Sequence, residues 1–178
     1  MKTANQALLC VVLSTGFTWG QTIAPGSSPP KLRGETASGK AIELPEAAAG
    51  KVTLLIIGFS KTAGEHSMDW EKPFSADFSQ DSHVAVYAIA MLERVPGLVR
   101  GMVKSSIRKG RPKDQRDNMV MTTSGETEWR QFCGVTDDKV PYLVLLDGRG
   151  HTRWSGHGLY DRAQYDSLLT AVRAAVRD

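Results

Sequence analysis

Hydrophobic positions along this chain change their spacing several times, and each change predicts an element. Residues 32–34 and 40–44 read as short strands joined by a turn at Ser38-Gly39. Residues 52–59 are apolar with too little polar alternation for a face in water, which predicts a central strand of a sheet covered on both sides. Over residues 65–80 the period lengthens. Trp70, Phe74 and Phe78 fall four apart, one stripe of a helix that starts late or kinks at Pro73. Residues 84–92 form a second apolar strand. Leu98, Val99, Met102, Val103 and Ile107 then share a face at helical spacing, ahead of a basic connection that ends at Arg116. A short strand at 118–122 precedes a helix through Phe132, for which Ser124 is the expected cap. Strands at 142–146 and 151–154 flank Asp147-Gly148-Arg149-Gly150, a hairpin signal. Asp161 and Gln164 open a closing helix whose apolar stripe is Tyr165, Leu168, Leu169, Val172 and Val176.

Alternating strands and helices at the front favour parallel strands with crossover helices, and the late hairpin adds an antiparallel edge. The expected class is α/β: a three-layer sandwich with a mixed central sheet and helices on both faces. Composition adds an address. The first twenty of the 178 residues, MKTANQALLCVVLSTGFTWG, read as a secretory signal, with Lys2, an apolar stretch, and small Thr18 and Gly20 before Gln21. The apolar part is too short to span a bilayer. Leu8 and Leu9 stand before Cys10 where a lipid-attachment site wants small residues, and no arginine precedes Arg33, which argues against a mitochondrial leader. Residues 21–31, QTIAPGSSPPK, read as a flexible linker, and 32–178 as one domain. The expected location is extracytoplasmic or periplasmic, with membrane association as a further expectation.

The formal charge of +3 falls to +2 when Lys2 leaves with the signal, too little to predict a nucleic-acid partner. Cleavage also removes Cys10 and leaves Cys133 alone, so no internal dithiol is available.

Two stretches resemble the thioredoxin-like assembly factors of the F-type ATP synthase membrane sector. One is KVTLLIIGFSKTAGEHSMDWEKPFSADF, an apolar strand leading without cysteines to Trp70, Pro73 and Phe74. The other, from 107 to 158, combines the basic segment IRKGRPKDQRDNMVM, the helix EWRQFCGV and the strand-turn YLVLLDGRGHTRWSGHG, with Arg153, Trp154, Gly156 and Gly158 in order. The resemblance implies a thioredoxin-like fold and a chaperone-like role in assembling a membrane-embedded subunit, without redox catalysis. A broader resemblance is to exported bacterial thioredoxin-like proteins, whose redox members carry a cis proline facing a cysteine pair. Here that proline is Pro141, and Gly64, Glu65, His66 and Ser67 are expected where Cys-x-x-Cys would stand. A serine hydroxyl does not replace a thiolate.

The candidate partner-binding residues follow from these readings. Lys61, Glu65 and His66 lie at the expected loop. Lys104, Arg108, Lys109, Arg111, Lys113 and Arg116 put six cations within thirteen residues, suited to an acidic protein or anionic headgroups, or simply to a solvated loop. Pro141, Arg153 and His157 complete the set. Trp70, Phe74 and Phe78 are expected in the core. His151 and His157 have no ligand partners at a recognised spacing, so neither metal nor cofactor is expected. The expected partner is a protein, a subunit of a membrane complex. An alternative function is a thiol oxidoreductase or peroxidase using Cys133.

Overall fold

The structure is a computed structural model that describes residues 23–177, so the expected signal at 1–20 lies outside the described residues. Its sheet has seven strands: β1 (Leu32–Thr36), β2 (Ala41–Leu44), β3 (Val52–Gly58), β4 (Val84–Met91), β5 (Met119–Thr122), β6 (Tyr142–Leu146) and β7 (Thr152–His157). Their order is β2-β1-β5-β4-β3-β6-β7. β3, β4 and β5 are parallel, and the remaining pairings are antiparallel. Helices α1 (Lys61–Asp77), α2 (Gly97–Gly110), α3 (Glu126–Cys133) and α4 (Arg162–Ala175) cover this mixed sheet.

Period-2 alternation loads both faces. Leu54 and Ile56 of β3, with Leu143 and Leu145 of β6, pack beneath Trp70 and Phe74 of α1 and Tyr165, Leu168 and Val172 of α4. Leu55, Ile57, Tyr142, Val144 and Leu146 face the other way, against Trp129 and Cys133 of α3. Every residue of β3 is buried, as a continuous apolar run requires.

Several local expectations are corrected. α1 begins at Lys61, because the Ser60 hydroxyl accepts from the Ala63 amide and supplies a cap in the first turn. It then runs through Pro73 to Asp77, where burial of Trp70 and Phe74 outweighs the amide lost at Pro73. Ser124 is not the cap of α3. Gly125 takes that position at φ 81°, and the Glu93 carboxylate accepts from the Glu126 amide instead. The segment expected as a flexible linker is held from Gly26 onward: Gly26 donates to the Thr152 carbonyl, Thr152 donates to Ser27, and Pro29 is buried. Backbone polar groups on the rim of β7 supply the partners that the segment's composition does not reveal. Val140–Pro141 is not cis, and the cis bond among the described residues is Leu44–Pro45.

α2 departs most. Val103 and Ile107 pack toward Ala88, Leu92, Met119 and Met121, whereas Leu98, Val99 and Met102 are exposed. One helix carries two apolar stripes, and the sheet takes only one of them.

Just after α2, Arg111 meets Glu71 of α1. Nη1 donates to Oε1 at 2.7 Å, and Nη2 lies 2.6 Å from Oε2 without a well-aligned hydrogen bond. Their side chains are only 10% and 7% exposed, so Arg111 ties the α2 connection to α1. Glu71→Ala is expected to destabilise by about 3–5 kcal/mol, because an unpaired guanidinium remains buried. Urea unfolding checks this, and a loss below about 1 kcal/mol would show that water or a new partner rescues the arginine. In β7, a methyl group on Gly156 would lie 2.7 Å from Cη2 of Trp154, whose indole covers it. Gly156→Ala is expected to cost about 1–3 kcal/mol in the same titration, and most of that loss disappears in a Trp154→Ala background.

Candidate functional site

The junction where β3 ends and α1 begins positions everything at this edge. Gly58 allows the helix to come close, since a methyl group there would stand 3.1 Å from the Gly64 nitrogen. Phe59 follows and is buried, and Ser60 turns the chain into α1. The Ser60 hydroxyl donates to the Asp138 carbonyl at 2.6 Å while accepting from Ala63 at 3.2 Å. Its proton and a lone pair are thus both engaged. Residues 64–67, expected at the junction, already lie inside α1, and Ser67 is buried with its hydroxyl on the Ala63 carbonyl.

Around Ser60 the groups are aromatic and charged. Phe59 meets Tyr142 edge-on at 5.8 Å, and the His157 ring stacks on the other side of Tyr142 at 5.3 Å with a 12° tilt. The Tyr142 hydroxyl accepts from the Thr136 and Asp137 amides at 3.0 and 3.3 Å. Above Phe59 stands the Arg130 guanidinium, 4.9 Å from the ring centre. Arg130 also pairs with Glu126 at 2.8 Å and approaches Asp138 at 3.6 Å, and Arg94 reaches the same Glu126 oxygen at 3.2 Å. Glu126 is buried, so these two arginines hold its charge inside.

The predicted residues divide into separate groups. Pro141 is buried beside Tyr142 and its carbonyl accepts from Gly158, which brings Pro141 and His157 to this edge. Lys61 and Glu65 pair with each other at 3.5 Å on the exposed side of α1, and His66 lies 3.8 Å from Asp69. These three do not converge. Lys104 and Arg108 share Glu35 of β1, each at 2.9 Å, Arg111 is spent on Glu71, and Arg116 donates to the Arg111 carbonyl. Lys109 and Lys113 remain exposed. Arg153 lies 3.9 Å from Asp147, at a cavity of about 500 Å³ near the hairpin turn. Phe59, Ser60, Glu126, Arg130, Asp138 and Tyr142 were not singled out from the sequence. Ser60 had a legible signal, a serine between an apolar strand and a helix, and Glu126 and Arg130 had the i,i+4 spacing of a helical ion pair, whereas Arg94–Glu126 and Ser60–Asp138 join segments distant along the chain.

Cys133 is 5% exposed at the end of α3, and burial pushes its thiol up to about 12. The reading of Cys133 as the nucleophile of a peroxidase or oxidoreductase is therefore corrected: neither exposure nor a stabilised thiolate is present. Among the described residues no group of three His, Cys, Asp or Glu side chains could hold a metal, and no helix is long and apolar enough to cross a membrane.

A mixed sheet between helix layers, with a strand-to-helix junction free of cysteine, defines a thioredoxin-like protein that lacks the redox pair. Solved structures agree on the fold. A DsbE thiol:disulfide interchange protein from Chlorobium tepidum matches with TM-score 0.60 at 17% identity, covering 86% of this chain and 98% of that one. The exposed lipoprotein thioredoxin Etrx1 of Streptococcus pneumoniae matches at 0.58 and 16%, covering 82% and 99%. BsSco, a member of the Sco family of cytochrome c oxidase assembly proteins, matches at 0.58 and 16%, covering 85% and 95%. No curated protein matches the chain. The ATP10 protein family matches residues 27–174, and the chain belongs to that family of ATP synthase assembly proteins.

The folded protein is expected to leave Cys133 unmodified by iodoacetamide at pH 8, with labelling only after unfolding; rapid native labelling would contradict the burial. The same burial carries a pH dependence. Between its ordinary value of 9.0 and about 12 the thiol ionises in the unfolded chain while the folded one keeps its proton. That contribution is present below pH 9 and is lost as the pH climbs through this window. Cys133→Ala should show a shallower fall in unfolding free energy over the same range.

Proposed function

We propose that this protein is an exported, non-redox thioredoxin-like assembly factor that binds a subunit of the ATP synthase membrane sector. The observation that carries the reading is Ser60. At the strand-to-helix junction of a thioredoxin-like fold, its hydroxyl is spent as a helix cap and as a donor to Asp138. What faces outward there recognises: Lys61 and the His157 ring on Tyr142. Membership in the ATP10 family supports an assembly role, and the leader-like first twenty residues support export. Lys109 and Lys113 support peripheral contact with an anionic membrane. BsSco provides a parallel, a thioredoxin-like fold described as belonging to a family of assembly proteins for another membrane complex.

A deletion strain is expected to accumulate less assembled ATP synthase on native gels of its membranes, and Cys133→Ser is expected to restore the wild-type level. Photo-crosslinking from Lys61 in intact cells should then capture one membrane-sector subunit. Unchanged assembly in the deletion strain would overturn the reading, and a requirement for Cys133 would reopen thiol chemistry.

A further inference from the structure

Among the described residues, α2 is the α-helix without a buried side chain. Its inward stripe is Val103 and Ile107. Leu98, Met102, Ser105 and Lys109 follow one another at i, i+4, i+7 and i+11, so they form a single outward ridge. Leu98 is 99% exposed and Met102 72%, with Val99 beside them at 41%. A leucine that meets almost no other atom of its own chain projects beyond the surface; it does not line a groove.

Charge on α2 has one sign. The helix carries Arg100, Lys104, Arg108 and Lys109 and no carboxylate. Lys104 and Arg108 must share Glu35, and among the described residues Arg100 donates to the carbonyls of Glu93 and Val95 and to no carboxylate. Among the described residues no carboxylate pairs with Lys109, about 16 Å along the helix from Leu98, or with Lys113 just beyond it.

We propose that α2 is a lipid-docking helix: Leu98, Val99 and Met102 enter the headgroup–acyl boundary of an anionic bilayer while Lys109 and Lys113 meet its headgroups. A projecting apolar ridge suits a fluid surface, which closes around it, better than a protein surface, which would need a matching pocket. The surplus of cations favours anionic over zwitterionic lipid, and lysine stems lie along the boundary with their ammonium groups in water. Because β3 and β4 are parallel, α1 and α2 start at the same edge of the sheet. Docking through the first turns of α2 therefore brings the Ser60 junction close to the membrane surface, where an embedded subunit is reachable. This inference deepens the assembly reading, but its test needs no client, so either can fail alone.

The test is hydrogen–deuterium exchange of the full chain with phosphatidylglycerol or phosphatidylcholine vesicles. The readout is local to 97–110 and is not confounded by binding elsewhere in the chain. Exchange in α2 is expected to slow by at least about tenfold with phosphatidylglycerol, and little with phosphatidylcholine. Leu98→Glu/Met102→Glu, at exposed positions, should abolish the protection, and Lys109→Glu/Lys113→Glu should remove the lipid preference. Unchanged α2 exchange with both vesicles overturns the proposal. So does protection that survives the Leu98→Glu/Met102→Glu substitution, or protection that appears only when a membrane-sector subunit is supplied, which would assign the ridge to a protein.

Discussion

β3 has no face in water, and the rest of the molecule is arranged around that constraint. Its backbone hydrogen bonds go to β4 on one side and β6 on the other, and its side chains enter two separate cores. A strand held this way ends at a defined place, and Gly58 lets α1 approach it so closely that a methyl group there would crowd the Gly64 amide. The position of Ser60 follows. A cap hydroxyl so close after a dry strand has little freedom, and the Asp138 carbonyl accepts the hydrogen bond it donates.

In this fold the same geometry could present a thiol; here it presents a hydroxyl already engaged twice, and the remaining cysteine is buried on the opposite face of the sheet from α1 and α4. The edge is lined instead by the rings of Phe59, Tyr142 and His157 and by the guanidinium of Arg130. Arg130 links these features, stacking on Phe59, pairing with buried Glu126 and approaching Asp138. The thioredoxin-like architecture and the ATP10 family membership thus meet at a surface built from packing and charge.

The basic segment shows how tertiary structure reassigns residues that look alike in sequence. Of six cations in thirteen residues, Arg111 became a buried strut, Lys104 and Arg108 were drawn onto Glu35, and Arg116 caps a carbonyl, while Lys109 and Lys113 stay in solvent. Each fate depends on a carboxylate or carbonyl supplied by the local geometry, and the carboxylates Glu35 and Glu71 lie far away along the chain. The apolar positions of α2 divided similarly: a period of 3.6 marks a helix, but two stripes satisfied the period and only contact with β4 and β5 selected Val103 and Ile107.

The sequence by itself determined the strands, their order of appearance, the helix that closes the chain, the hairpin at Asp147-Gly148 and the class of fold, because burial on one or both faces imposes a period that survives in the amino-acid order. It also determined the absence of a second cysteine in the domain. Ser60 carries a cap signal that the order of residues also contains, but only the tertiary structure decided that its hydroxyl reaches Asp138 as well, and that Pro73 is tolerated, since Trp70 and Phe74 are buried around it. It also decided that Cys133 is buried, that His157 rests on Tyr142, and that Leu98 and Met102 face outward. Those outcomes depend on distances between segments far apart in the chain, and a one-dimensional pattern does not contain them.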